Sequence, residues 1–140
     1  WYRSRGLGDV YKRQIMKIAN ALSIVLGVVL FLIAAQWIFT PATAAETLSM
    51  PFLEGDARNT QIRDFTAFFL ATSIMCFLSF FTKKYEFIFC CGLVYMFAAI
   101  FNVISSIYHG APLGLSSLIS EIVFTSMAYI AALNFKKAHK

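Results

Sequence analysis

The sequence predicts an all-α fold, an antiparallel bundle of four transmembrane helices in a polytopic membrane protein. Of its 140 residues, 59% are hydrophobic and 14% are charged, whereas an ordinary soluble domain has about 45–50% apolar and about 25% charged residues. A chain this short cannot enclose so much apolar surface in a water-soluble core. The composition therefore argues against a soluble enzyme, a disordered segment and a nucleic-acid-binding domain.

Four apolar runs justify the number of helices. The hydrocarbon core of a bilayer needs about 20 residues of helix, with about 17 as the lower limit. The predicted helices cover residues 18–39, 65–81, 87–107 and 113–135. Pro41 ends the first because proline lacks the amide donor that would continue a helix, and Lys83 and Lys84 close the second. A helix is the open-chain structure that satisfies its own backbone in lipid, and the intervening segment 40–64 is predicted as a long loop.

The first helix has a second interpretation. Lys17, the apolar stretch and the sequence Ala42-Thr43-Ala44 together resemble a cleavable signal peptide, although the apolar core of a signal peptide usually has only about 7–15 residues. Cleavage there would make Ala45 the first residue and would leave three helices.

Residues 1–15 are predicted to be a non-native, adaptor-derived segment, which leaves residues 16–140 as a single membrane domain. The segment WYRSRGLGDVYKRQI precedes Met16, the first methionine, and has no clear periodicity. Without it the net charge falls from +5 to +2, from eight basic and six acidic residues. The high pI is then no argument for a nucleic-acid partner. The alternative is a native basic tail at the cytoplasmic surface.

Charged residues near the helix ends predict the orientation. One side of the membrane would hold the lysines, which are Lys17, Lys83, Lys84, Lys136, Lys137 and Lys140, and the other side would hold Arg58 and Arg63. Because cytoplasmic loops carry an excess of Lys and Arg, we expect both termini in the cytoplasm of a bacterial inner membrane. The expected partners are the lipid bilayer and either a membrane protein or a second copy of the chain.

Polar residues in the outer half of the membrane predict a pocket. Its candidate lining is Gln36, Asp64, Asn102, His109 and Glu121. Ionisable groups in hydrocarbon cost about 2.5–3.5 kcal/mol, and Glu121 lies about 12 Å into the fourth helix at 1.5 Å per residue. An unpaired carboxylate there would be protonated or would need a partner, for which His109 and Arg63 are the candidates. The alternative is that these groups only join helices, at about 0.6 kcal/mol per hydrogen bond.

No catalytic motif, metal site or cofactor site is predicted. The chain has two histidines, His109 and His139, on opposite predicted sides of the membrane, which is not a diagnostic ligand set. Its three cysteines, Cys76, Cys90 and Cys91, form no C-x-x-C pair. We interpret them as buried thiols that act as small hydrophobic side chains.

Several short motifs together resemble an uncharacterised bacterial family of four-helix integral membrane proteins that is itself similar to the DoxX-like group. They are Trp37-Ile-Phe-Thr-Pro41, Arg63-Asp64-Phe65, Asn102 with the turn His109-Gly110, and Glu121. The resemblance covers nearly all of residues 16–140. The individual positions that it carries over are Arg63, Asp64 and Glu121. Such families often have an arginine where this chain has Asn102. Some DoxX-like relatives are linked to thiol or quinone redox complexes, a role against which the missing C-x-x-C argues.

These observations favour a non-enzymatic bundle with an outward-facing polar pocket for a lipid, a small ligand or a partner. One alternative is a proton-coupled small-molecule transporter that uses Glu121. The other is a membrane subunit of an oxidoreductase complex.

Overall fold

The computed structural model describes residues 2–139, and the side chains of residues 6–139. Trp1 of the predicted adaptor segment and Lys140 of the predicted cytoplasmic set lie outside the described residues. The helices are α1 (Tyr2–Phe39), α2 (Pro41–Thr47), α3 (Asp56–Thr82), α4 (Tyr85–His109) and α5 (Leu115–Ala138). All of these except α2 are long and apolar enough to cross a membrane. The prediction of an all-α bundle with four membrane-length helices is confirmed.

The long helices form a four-membered ring in which α1 and α4 each pack against α3 and α5. Contacts between α1 and α3 give their direction. The ring of Trp37 stacks on Phe65 with centroids 4.8 Å apart, and Ser73 Oγ donates a 2.7 Å hydrogen bond to the backbone oxygen of Gly27. The residue numbers of the contact partners decrease along α3 as they increase along α1, so the two helices are antiparallel.

The α3–α4 interface contains polar and thiol contacts in its buried centre. The hydroxyl oxygens of Thr72 and Tyr95 are 2.8 Å apart, and Cys76 Sγ lies 3.7 Å from Cys91 Sγ. Cys76 and Cys91 are buried, as predicted, but Cys90 is exposed. The prediction was wrong for Cys90 because adjacent helical residues point about 100° apart, so two neighbours cannot both face one partner helix.

The α4–α5 interface is close-packed. A Cβ atom added to Gly92 would come within 3.2 Å of Ala128 Cβ. Farther along the pair, the rings of Tyr95 and Phe124 meet edge to face with centroids 5.3 Å apart. The absence of a side chain at Gly92 therefore allows the two helix backbones to approach.

The interior is narrow and most large apolar side chains face outward. From α1, the buried side chains are Ile15, Ala19, Ser23, Leu26, Leu30, Ala34 and Trp37, which follow the three- and four-residue spacing of one helix face. The opposite faces expose residues such as Leu32, Phe81 and Ile107, which are 62%, 75% and 69% exposed. An apolar exterior over membrane-length helices is the arrangement of a multi-pass membrane protein.

The segment after Pro41 differs from the predicted long loop. Pro41 opens the short helix α2 instead of a loop, because a proline is tolerated in the first helical turn, where its missing amide hydrogen has no partner. Helix α3 then begins at Asp56, nine residues earlier than predicted. Hydropathy misses this first part because residues 56–64 are polar, and an acid in the first turn of a helix is favourable.

Hydrogen bonds hold the connection between α2 and α3 against the start of α3. The buried side chain of Gln61 accepts a bond from the Leu53 amide at 3.0 Å and donates one to the Pro51 carbonyl at 3.1 Å. Arg58 Nε donates to the Leu53 carbonyl at 2.7 Å, and its guanidinium lies over the Phe52 ring. The early start of α3 thus supplies the groups that fix the preceding loop.

Helix α1 also begins earlier than predicted, at Tyr2 instead of residue 18. Residues 6–14 are all exposed, and Ile15 is the first buried side chain of the described part. No proline interrupts residues 2–17, so the helix continues outward from the bundle. The adaptor origin of residues 1–15 stays a prediction.

Candidate ligand-binding site

A cavity of about 560 Å³ lies toward one end of the bundle, where α1 ends and α3 begins. All five helices contribute to its wall. Its aromatic lining consists of Trp37, Phe65, Phe68, Phe69, Tyr95 and Phe124. Its polar lining consists of Gln36, Thr47, Asp64, Ser116, Ser117, Ser120 and Glu121. The walls are therefore mostly apolar, with polar groups contributed mainly by α5.

The structure brings together three of the five predicted pocket residues. Gln36, Asp64 and Glu121 line the cavity, but Asn102 and His109 are not part of its wall. The position of each follows from the helix that holds it.

Asp64 lies at the rim of the cavity, with 63% of its side chain exposed. Its Oδ1 is 3.2 Å from Nε of Arg63, which is itself 65% exposed. The expected ion pair of Arg63 with Glu121 is thus replaced by a pair between sequence neighbours. The reason is position: Arg63 lies in the polar first part of α3, outside the cavity wall, and an exposed pair of this kind contributes little free energy.

Asn102 fixes the turn between α4 and α5. Its Nδ2 donates to the Gly114 carbonyl at 3.0 Å, and its Oδ1 accepts from the Gly114 amide at 3.2 Å. A side chain engaged on both sides with the backbone is a structural element of the turn. It also lies beside the carboxyl group of Glu121, so it supports the cavity without lining it.

His109 does not reach Glu121. It is the exposed last residue of α4, followed by Gly110 in the left-handed conformation that ends the helix. Because Tyr95 of α4 contacts Phe124 of the antiparallel helix α5, Ala98 and Glu121 lie at the same height along the bundle axis. Both residues line the cavity. His109 is then about 16 Å farther along α4 at 1.5 Å per residue. The expectation that it would pair with Glu121 or line the pocket is wrong.

The cavity wall contains buried polar atoms that have no partner. Among the described residues, three buried side-chain atoms lack a hydrogen bond, and they belong to Trp37, Thr66 and Glu121. Two of these residues, Trp37 and Glu121, line the cavity. The atoms are Nε1 of Trp37, a donor, and Oε2 of Glu121. Buried polar atoms are almost always paired, and each exception requires an explanation.

The described residues contain no set of side chains that could hold a metal ion. Nowhere between residues 6 and 139 do three His, Cys, Asp or Glu side chains come together closely enough to hold a metal ion. The cavity itself offers carboxylate, amide and hydroxyl groups on an aromatic wall. That combination can bind a ligand through hydrogen bonds, charge and ring contacts.

No family model, curated protein or solved structure matches the chain. The resemblance to the DoxX-like group accordingly stays a prediction. The inference of function rests on the cavity.

Sequence reasoning missed the aromatic wall and the contribution of α2. A phenylalanine that faces lipid and one that faces a cavity look alike in sequence. Ser117 and Tyr95 did carry a signal, because both lie on the small and polar stripes of their helices. The run Pro41-Ala-Thr-Ala-Ala-Glu-Thr47 has good helix formers after a proline, and that signal could have predicted α2.

Proposed function

We propose that the protein is a membrane-embedded binding protein for a small amphipathic ligand, held in the cavity between the five helices. The ligand has an apolar body that contacts the aromatic wall and a polar end that reaches Glu121. The protein performs no chemical reaction on it. The transporter and oxidoreductase alternatives stay predictions.

The observation that carries this proposal is the cavity, whose lining includes two residues with a buried side-chain atom that has no hydrogen-bond partner. Trp37 is fully buried and its Nε1 donor is unpaired, as is Oε2 of Glu121. Leaving a buried polar group without a hydrogen bond costs about 1–3 kcal/mol. A ligand that donates to the Glu121 carboxylate would supply one of these two missing hydrogen bonds.

The dimensions of the cavity support a small ligand. Its volume of about 560 Å³ falls within the roughly 300–1,000 Å³ of typical small-molecule pockets, which are lined mainly by apolar and aromatic side chains with a few polar groups. A lipid with two full acyl chains would not fit entirely inside. An acyl-chain-free or single-chain amphiphile would.

We further propose that the protein resides in a bacterial inner membrane with both termini in the cytoplasm. The lysines at the ends of α3 and α5 lie at the end of the bundle opposite the cavity, and Arg58 and Arg63 lie near the cavity. The excess of positive charge at the first end supports its cytoplasmic location. The cavity then opens toward the outer side.

A test uses three compounds with one skeleton: 3-phenylpropylammonium, 3-phenyl-1-propanol and 3-phenylpropanoate. Trp1→Phe leaves Trp37 as the single tryptophan, so its fluorescence reports the cavity wall in phosphatidylcholine nanodiscs. We expect at least one compound to change that fluorescence saturably. Ala98→Phe fills the cavity and abolishes the response, because Ala98 lines it.

The matched control is Ala71→Phe, which adds the same volume on an exposed face of α3. It should leave binding intact. Circular dichroism of both variants verifies that the helices remain. A fluorescence change that never saturates, or one that Ala98→Phe leaves in place, would mean that the compounds only partition into lipid, and would overturn the proposal.

A further inference from the structure

We infer that the cavity selects an organic cation, a small ammonium compound with an aromatic or alkyl body. This inference rests on the proposed binding function and names the chemical class of its ligand. Three features of the wall lead to it: its acidic residues, its aromatic rings and the unpaired side-chain oxygen of Glu121.

The first feature is that the lining contains acidic side chains but no basic ones among its described residues. The described residues in the cavity wall include two acids, Asp64 and Glu121, and no Lys, Arg or His. The nearest arginine, Arg63, stands outside the wall and has its contact with Asp64 at the solvent-exposed rim. Inside the cavity, Glu121 is thus the acid without a cationic partner, and a bound cation would be the partner that keeps its carboxyl group ionised.

The rings form the second feature. Phe68 and Phe124 both meet Tyr95 edge to face with centroids 5.3 Å away, and Trp37 stacks on Phe65 nearby. An ammonium group within about 6 Å of an aromatic face is attracted by the ring quadrupole, and the attraction grows when water is excluded. Aromatic walls beside one carboxylate are the arrangement that recognises alkylammonium groups.

The unpaired acceptor distinguishes a cation from the other classes of ligand. A purely apolar molecule would leave Oε2 of Glu121 without a donor, and an anion would be repelled by the same oxygen. A neutral hydroxyl would satisfy the oxygen but would gain nothing from the negative lining. An ammonium N–H donates to the carboxylate with the added strength of opposite charges.

The three phenylpropyl compounds test this inference directly, since they share one carbon skeleton and carry a cationic, a neutral or an anionic polar group at its end. In phosphatidylcholine nanodiscs, which carry no net charge to concentrate cations, the ammonium should bind at least about tenfold more tightly than the alcohol. The carboxylate should bind most weakly. Equal affinity of alcohol and ammonium would overturn the cation inference and leave the proposed binding function standing, whereas failure of all three compounds would overturn the binding function itself.

Glu121→Gln identifies the residue responsible. This variant keeps the side-chain shape and removes the charge, so the preference of about tenfold for the ammonium should disappear while binding of the alcohol is retained. Retained alcohol binding also shows that the variant has folded. Glu86→Gln is the matched control: it removes an exposed acid in the first turn of α4, at the opposite end of the bundle, and should leave the preference intact. Equal weakening of all compounds by Glu121→Gln would assign Glu121 a structural role and overturn the inference.

Discussion

Tyr95 joins three helices by its ring and its hydroxyl. The side chain is 2% exposed. Its ring contacts Phe68 of α3 and Phe124 of α5, and its hydroxyl meets Thr72 Oγ1 at 2.8 Å. Since the Thr72 hydroxyl also bonds to the carbonyl of Phe68, the tyrosine can donate to threonine while threonine donates to its own helix. The cavity wall at this level is held by packing and by a short hydrogen-bond chain.

We expect Tyr95→Phe to destabilise the bundle only slightly. The ring contacts remain, and the lost interhelical hydrogen bond is worth about 0.6 kcal/mol in a membrane protein. Unfolding titrated with a denaturing detergent measures the change. Tyr108→Phe, at a position that is 76% exposed, is the control. A loss no larger than that of the control would show that the Tyr95 hydroxyl contributes nothing to stability.

Helix α1 packs closely against α3 at Gly27, which has no side chain. A Cβ atom on Gly27 would stand 3.0 Å from Cε1 of the Phe77 ring. On the other side of the same contact, Ser73 Oγ donates to the carbonyl of Gly27. Small residues at helix crossings are a general means of packing in membranes, because apolar burial does not favour one neighbour over lipid.

Gly27→Leu should separate α1 from α3. Overpacking of a well-packed interface costs about 1–3 kcal/mol, and the hydrogen bond from Ser73 would also lengthen. The unfolding titration in detergent measures the loss. Gly8→Leu is a matched control, since a side chain at Gly8 meets open space. If both variants were equally stable, the close α1–α3 contact would not be part of the folded protein in a membrane.

The long helices and most of their ends could be predicted from sequence, but the beginnings of α1 and α3 could not. Hydropathy reports the part of a helix that lies in hydrocarbon, so the apolar runs revealed α1, α3, α4 and α5. The beginning of α3 depends on local bonds, such as those of Gln61 to Leu53 and Pro51, which leave no hydropathy signal. These bonds join residues eight to ten positions apart, and only the folded loop brings the bonding groups together.

Only part of the candidate site could be predicted, because the sequence shows which face of a helix a residue lies on but not how two helices are shifted along each other. Gln36 and Glu121 reach the cavity because their helix faces point inward, and facing direction follows from helical periodicity. Asn102 and His109 depend on how far α4 is shifted along α5. The turn at residues 110–114 sets that shift, and the side chain of Asn102 makes two hydrogen bonds with the backbone of Gly114 in this turn.

The charges of the whole molecule are separated along the bundle axis. Lys83 and Lys84 join α3 to α4, and Lys136 and Lys137 lie in the last turn of α5 at that same end. Lys83 reaches across to Asn20 of α1 with a 2.7 Å hydrogen bond. The beginning of α1 and the end of α5 accordingly lie at the same end of the bundle as these lysines.

The orientation can be measured by labelling single cysteines in bacterial cells that express the chain. In a background without Cys76, Cys90 and Cys91, we expect Glu54→Cys to react with a membrane-impermeant maleimide in intact cells. His139→Cys should react only after the membrane is permeabilised, because the lysine-rich end stays inside. The reverse pattern would place the cavity on the cytoplasmic side and contradict the proposed orientation.

One end of the cavity is lined by Ala44 and Thr47 of α2 and by Leu48, the residue that follows this helix. The loop after α2 is tied to α3 through Gln61. In the proposed binding function, a ligand that leaves past this loop would have its residence time set by these hydrogen bonds, whereas Glu121 and the aromatic rings would set its selectivity. Dwell time and selectivity would then change independently of each other.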